Sequence, residues 1–135
     1  MTDVIGEYGL VAKVSVCDLA KSIEWYHEKL GLEHDPRFDT TKWAQMNVPG
    51  IPHVAIGLWV DPNRVGTGGA VATFFVNDIN LARKTLLDRG VDAGPAMDVG
   101  QGVKMAFFSD PDGNSLGLRQ NPASQPKAGA VGQPT

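Results

Sequence analysis

Lys13 is the side chain best placed to do chemistry at a fixed point. It stands within Leu10-Val11-Ala12-Lys13-Val14-Ser15-Val16, a run otherwise almost wholly apolar. A lysine cannot stay unpaired in a dry interior, so it must meet water, a carboxylate or a ligand. An ammonium there can hold an anionic group or pass a proton; a lysine that snorkels to a wet rim is the other reading. His53 is a lone imidazole that can shuttle a proton or donate to a ligand, or be an ordinary strand-end histidine. His27 and His34, beside and just past a helix, read as surface or rim residues, and Cys17 as plain packing. No acid-base dyad is visible among the motif carboxylates. Asp18 and Asp78 are committed to helix caps, and Asp110 and Asp112 to a turn.

The elements that position these residues come in two copies. Val16-Cys17-Asp18-Leu19 returns sixty residues later as Val76-Asn77-Asp78-Ile79, and the helix-like runs that follow stop near Gly31 and Gly90. Helix start, helix stop and preceding strand agree in both, as expected of a repeated supersecondary unit. Leu10 to Val16 reads as a strand with Lys13 and Ser15 on the same face as Val11. Asp18 is expected to cap a helix whose apolar stripe is Leu19, Ile23, Tyr26 and Leu30. Asp35-Pro36 breaks the chain, and strands over Trp43–Val48 and His53–Val60 flank a Pro49-Gly50-Ile51-Pro52 turn. A glycine-rich connector over 61–69 leads to a second strand-helix pair, Ala70–Val76 and Asp78–Arg89, with Ile79, Ala82 and Leu86 inward. Strands Val103–Phe108 and Ser115–Leu118 then flank Asp110-Pro111-Asp112-Gly113-Asn114. The modules span about 8–62 and 69–120 of a single domain over 1–120. Residues 121–135 lack periodicity and are expected to be a disordered tail.

A chain of 135 residues with 42% hydrophobic and 20% charged residues suits one globular domain. The net charge of -3 and the absence of a basic stripe argue against nucleic acid. The lone Cys17 forms no internal disulfide. No apolar run approaches the roughly 20 residues a membrane helix needs, and Met1-Thr2-Asp3-Val4 is too polar for a secretory signal, so a cytoplasmic protein without a membrane partner is expected.

Val16-x-Asp18-Leu19, Ser22-x-x-Trp25-Tyr26-x-x-x-Leu30-Gly31-Leu32 and Phe108-x-Asp110-Pro111-Asp112-Gly113-Asn114-x-Leu116 together resemble the vicinal oxygen chelate superfamily. That group includes glyoxalase I, bleomycin resistance proteins, fosfomycin resistance enzymes and extradiol dioxygenases. The resemblance covers about residues 9 to 120. It implies an α+β fold in which two βαβββ modules form a curled, eight-stranded mixed-sheet cup that holds ligand or metal. Metal-dependent members place His or Gln seven residues before the capping Asp and Glu on the last strand of each module. The matching positions here are Val11, Val71, Gly117 and either Ala55 or Gly57, none of which offers a donor. The resemblance therefore implies no metal, no cofactor and none of the metal-dependent activities.

Parity with Val11, Val71 and Gly117 puts Lys13, Ser15, Thr73, Phe75, Ser115 and Arg119 toward the cup, with His53 sharing the parity of Ala55 and Gly57. Trp43, Trp59, Met105 and Phe107 are candidate walls, and the small residues at the ligand positions are expected to leave volume for a small organic molecule. Lys13 and Arg119, if both inward, favour an anionic or phenolate-bearing ligand. Two classes of function follow. One is a metal-free protein sequestering an amphiphilic, aromatic or anionic small molecule, as drug-binding relatives do. The other is a metal-independent isomerase, lyase or hydrolase using Lys13 or His53 as acid or base. The resemblance also implies pairing, since relatives of similar length commonly form two-fold dimers with sites at or near the interface, so a homodimer is expected.

Overall fold

The computed structural model describes residues 9–122, so the expected tail lies outside the described residues beyond Pro122. The chain divides into two compact units between Thr67 and Gly68. The first runs β1 (Leu10–Val16), α1 (Leu19–Leu30), β2 (Glu33–Asp35), β3 (Trp43–Asn47) and β4 (Val54–Val60). The second runs β5 (Ala72–Phe75), α2 (Ile79–Asp88), β6 (Met97–Asp98), β7 (Lys104–Ser109) and β8 (Ser115–Gln120). Each is a βαβββ module, and each builds a four-stranded mixed sheet, ordered β1-β4-β3-β2 and β5-β8-β7-β6. β1 pairs parallel with β4 and β5 parallel with β8, while the other neighbours run antiparallel. The fold is α+β, with the two modules that the sixty-residue repeat implies.

Both helices start as the capping aspartates predict. The Asp18 carboxylate accepts the Lys21 backbone N–H at 3.0 Å and that of Asp78 accepts the Leu81 N–H at 3.1 Å, each satisfying an orphan donor of the first turn. α1 ends at Gly31 in the left-handed conformation. Its buried face is rotated from the predicted stripe: Ser22 and Tyr26 are buried, whereas Leu19, Ile23 and Leu30 are only half-buried. The small Ser22 lets the helix approach the sheet, and Ile23 turns toward a groove beside the helix. In α2, Ile79 and Leu86 are buried as expected, and the Gln120 side-chain oxygen at the end of β8 accepts the Ile79 N–H at 2.7 Å.

One face of each sheet carries the core. In the first unit Val16, Ala44, Met46, Ile56 and Leu58 pack with Tyr26; in the second Ala106, Phe108, Leu116 and Leu118 pack with Ile79 and Leu86. Strand alternation turns the intervening residues to the opposite face. Two strands escaped the sequence reading, β2 and β6, because three and two residues are too few to show alternation. The β7–β8 turn closes around Asp110, whose carboxylate accepts the Asp112 and Asn114 backbone N–H groups and the Asn114 amide, each at 2.9 Å, while Gly113 takes φ 82°. Among the described residues no helix is long and apolar enough to cross a membrane.

Candidate functional site

The face of the first sheet away from α1 is organised in transverse rows. Register places Lys13 of β1 beside Gly57 of β4, Gly57 beside Gln45 of β3, and Gln45 beside Asp35 of β2. The next row is Ser15, Trp59 and Trp43. Lys13 is exposed, and its Nζ lies 5.9 Å from the Trp59 ring centroid. A cation over an indole face is worth about 0.5–1 kcal/mol at a wet site. The interaction holds the ammonium on this face instead of letting it trail into solvent.

The second sheet has a parallel arrangement on the face away from α2. Thr73, Gly117 and Phe107 form one row, and Phe75, Arg119, Met105 and Met97 the next. The Arg119 guanidinium lies 5.4 Å from the Phe75 ring, and its Nε donates to the Asn121 side-chain oxygen at 2.8 Å. Phe75 is 51% exposed and Phe107 39%, so this face is more apolar and more open than the first. Each unit thus repeats a cation packed on an aromatic ring, from different residues.

The register also fixes which residue of the first module stands where Gly117 stands in the second. Lys13 faces Gly57 as Thr73 faces Gly117, so Gly57 and not Ala55 is the counterpart. Neither glycine leaves the volume that their small size implies. A Cβ on Gly57 would collide with the outer edge of the Trp43 indole, and one on Gly117 would come within 3.2 Å of the Thr73 hydroxyl and 3.3 Å of the Phe107 ring. The space is filled by neighbours. With Val11 and Val71 at the other two positions, the residues do not fit a divalent ion, and among the described residues no three His, Cys, Asp or Glu side chains converge to hold one.

Nine of the ten sequence-predicted site residues, Lys13, Ser15, Trp43, Trp59, Thr73, Phe75, Met105, Phe107 and Arg119, lie on these two open faces. His53 differs. β4 begins at Val54, and His53 sits in the preceding turn at φ 61°, so strand alternation does not reach it; its carbonyl accepts the Leu10 N–H at 2.8 Å. The reading missed Asp35, Arg37, Gln45 and Asn47. Asp35 is buried, and its two oxygens accept from Arg37 Nε at 2.9 Å and Arg37 Nη2 at 2.7 Å. Asn47 Nδ2 donates to the same carboxylate at 3.1 Å, and Gln45 Nε2 donates to Asn47 Oδ1 at 3.0 Å. The Arg37 hydrogen bonds, then that from Asn47, hold the Asp35 carboxyl far below the usual carboxylate range. The alternation of β3 alone, which puts Gln45 and Asn47 on the face of Trp43, was the signal that could have found them. A separate groove of about 420 Å³ runs along α1 and β2, lined by Ala20, Ile23, Glu24, His27, Glu33 and His34; it contains none of the ten.

Comparison with known proteins bears on the same elements. A family model described as Glyoxalase/Bleomycin resistance protein/Dioxygenase superfamily matches residues 9–118. Among solved structures the chain is similar to an antibiotic binding protein, TnmS3, from Streptomyces sp. CB03234, at 25% identity and TM-score 0.72, over 89% of this chain and 99% of that one. It is also similar to a member of the same superfamily from Sphaerobacter thermophilus DSM 20745, at 26% identity and TM-score 0.69, over 87% and 98% of the two chains. No curated protein matches it. With the paired modules, both capped helices and the Asp110 turn all within the matched span, the chain belongs to the Glyoxalase/Bleomycin resistance protein/Dioxygenase superfamily.

Proposed function

We propose that this protein binds a small amphiphilic molecule, aromatic and anionic, without a metal ion. One observation carries the reading: the open face of the first sheet presents the Lys13 ammonium packed on Trp59, with the Trp43 edge beside it over Gly57. A flat apolar wall with a single cation at its margin suits a conjugated ring bearing an acidic group. The similarity to an antibiotic binding protein supports the same class. A thermal-shift screen against aromatic acids and amphiphilic natural products tests it. A true ligand at 100 times its Kd raises stability by about 2.7 kcal/mol. Recovery of the ligand unchanged after long incubation is expected, whereas its conversion would identify a metal-independent isomerase, lyase or hydrolase instead.

The binding is expected to be indifferent to chelator, because the four positions that carry ligands in metal-dependent relatives hold Val11, Val71, Gly57 and Gly117. Stoichiometric Zn, Ni, Fe or Mn by elemental analysis, with binding lost on chelation, would overturn this. We also propose a homodimer. Phe75, Phe107, Val71 and Met97 leave apolar surface on one face of the second sheet, and such surface calls for a cover. Light scattering should return twice the 14.4 kDa chain mass at micromolar concentration; a monomer mass throughout would refute pairing.

A further inference from the structure

The Asp35–Asn47–Gln45 chain has a direction. A carboxylate only accepts hydrogen bonds, and Asp35 takes four: the Arg37 backbone N–H at 3.2 Å and Nε on one oxygen, Arg37 Nη2 and Asn47 Nδ2 on the other. Asn47 must therefore present its amide nitrogen to Asp35 and its carbonyl oxygen to Gln45. Gln45 must in turn give its nitrogen to Asn47. Neither amide can flip without setting two acceptors or two donors against each other. Among the described residues, the one amide acceptor of this hydrogen-bond chain that takes no hydrogen bond is Gln45 Oε1. It belongs to a half-buried residue in the same row as Lys13, two strands away, a span of roughly 9–10 Å.

Resting on the binding function above, we infer that Gln45 selects ligands carrying an N–H or O–H donor at the end of the ring system opposite their acidic group. Lys13 takes the anion and Gln45 Oε1 takes the donor, while the Trp43 edge over Gly57 is the floor between them and Trp59 stands beside Lys13, so the ring system lies on the indoles. Asp35 and Asn47 are positioning residues: they touch no ligand and hold the Gln45 carbonyl in the accepting orientation. Arg37 fixes Asp35 in its turn. A ligand with an acceptor at that end meets carbonyl against acceptor and is rejected.

Two fluorescent probes separate the parts of this inference. 6-(p-Toluidino)naphthalene-2-sulfonate carries a sulfonate at one end of a naphthalene and a single N–H at the other, and its N-methyl derivative lacks only the donor. The wild-type chain is expected to bind the N–H probe about five-fold more tightly than the N-methyl probe, the usual worth of one neutral hydrogen bond. Gln45→Leu should bring the ratio to about one. Asn47→Leu, which frees Gln45 to turn, should shrink the ratio although Gln45 is intact; loss of packing alone would weaken both probes alike and leave it unchanged. Equal affinity of the wild type for the two probes overturns the inference about Gln45 and spares the binding function. Failure of both probes to bind, with no ligand from the screen, overturns the function and this inference with it.

Discussion

Lys13→Met is expected to weaken binding of an aromatic anion by roughly 1.5–3 kcal/mol, about 10- to 150-fold in Kd, the worth of a charge-assisted hydrogen bond. Methionine has similar length and can lie on Trp59 as the lysine stem does, so the fold and melting temperature should be retained. What is lost is the ammonium 5.9 Å from the Trp59 ring. Lys21→Met, on the exposed side of α1, removes the same charge elsewhere and should change little. Calorimetry on the three proteins decides the matter. Equal affinities would make Lys13 a rim lysine and assign recognition to the aromatic walls. Raising the salt concentration should narrow the gap between wild type and Lys13→Met, because an exposed ion pair is screened within about 8–10 Å.

Tyr26→Ala should cost about 3–5 kcal/mol of stability, the range for emptying a large buried aromatic position. Tyr26 is fully buried at the centre of the helix-covered face of the first sheet, with its ring edge-on to Trp25 at 5.0 Å. Since ordinary domains are stable by about 5–15 kcal/mol, one such change consumes a large fraction of the whole. Urea titration should show a lower midpoint at unchanged slope. A loss below about 1 kcal/mol would mean that the first unit relaxes around the vacancy. The residue lies on the opposite side of the sheet from Lys13, so partial destabilisation at low temperature should leave ligand affinity largely intact.

The sequence displayed what repeats and what caps. Asp18 and Asp78 precede amphipathic runs, Gly31 and Gly90 end them, and Asp110-Pro111-Asp112-Gly113-Asn114 is a turn by local chemistry alone, so both modules are legible in the residues themselves. Alternation on long strands also put nine of the ten candidate residues on the faces where the register has them, since seven residues of β1 and six of β8 define parity. It failed where strands are short or edges uncertain. β2 is Glu33-His34-Asp35, all polar and followed by Pro36, so nothing marked Asp35 as a buried partner of Arg37 and Asn47. His53 failed for a related reason: a backbone at φ 61° takes it out of the strand whose period had assigned its face. The filling of Gly57 by Trp43 was illegible in principle, because it depends on a side-chain rotamer reaching diagonally onto the neighbouring strand.

The pairing of the first strand of each unit with the last has a consequence for how the chain is made. Leu10 finds its partner only at Val54, and Ala72 only at Leu116. During synthesis at roughly 5–20 residues per second, β1 therefore emerges some seconds before β4 does. The ordering cost of that long closure comes before any reward, which places these folds toward the slow end for their size. Through that interval Leu10-Val11-Ala12-Lys13-Val14-Ser15-Val16 is a nascent β-prone segment with one charge in its middle. A charge within such a segment, here Lys13, disfavours its pairing with a second copy of itself.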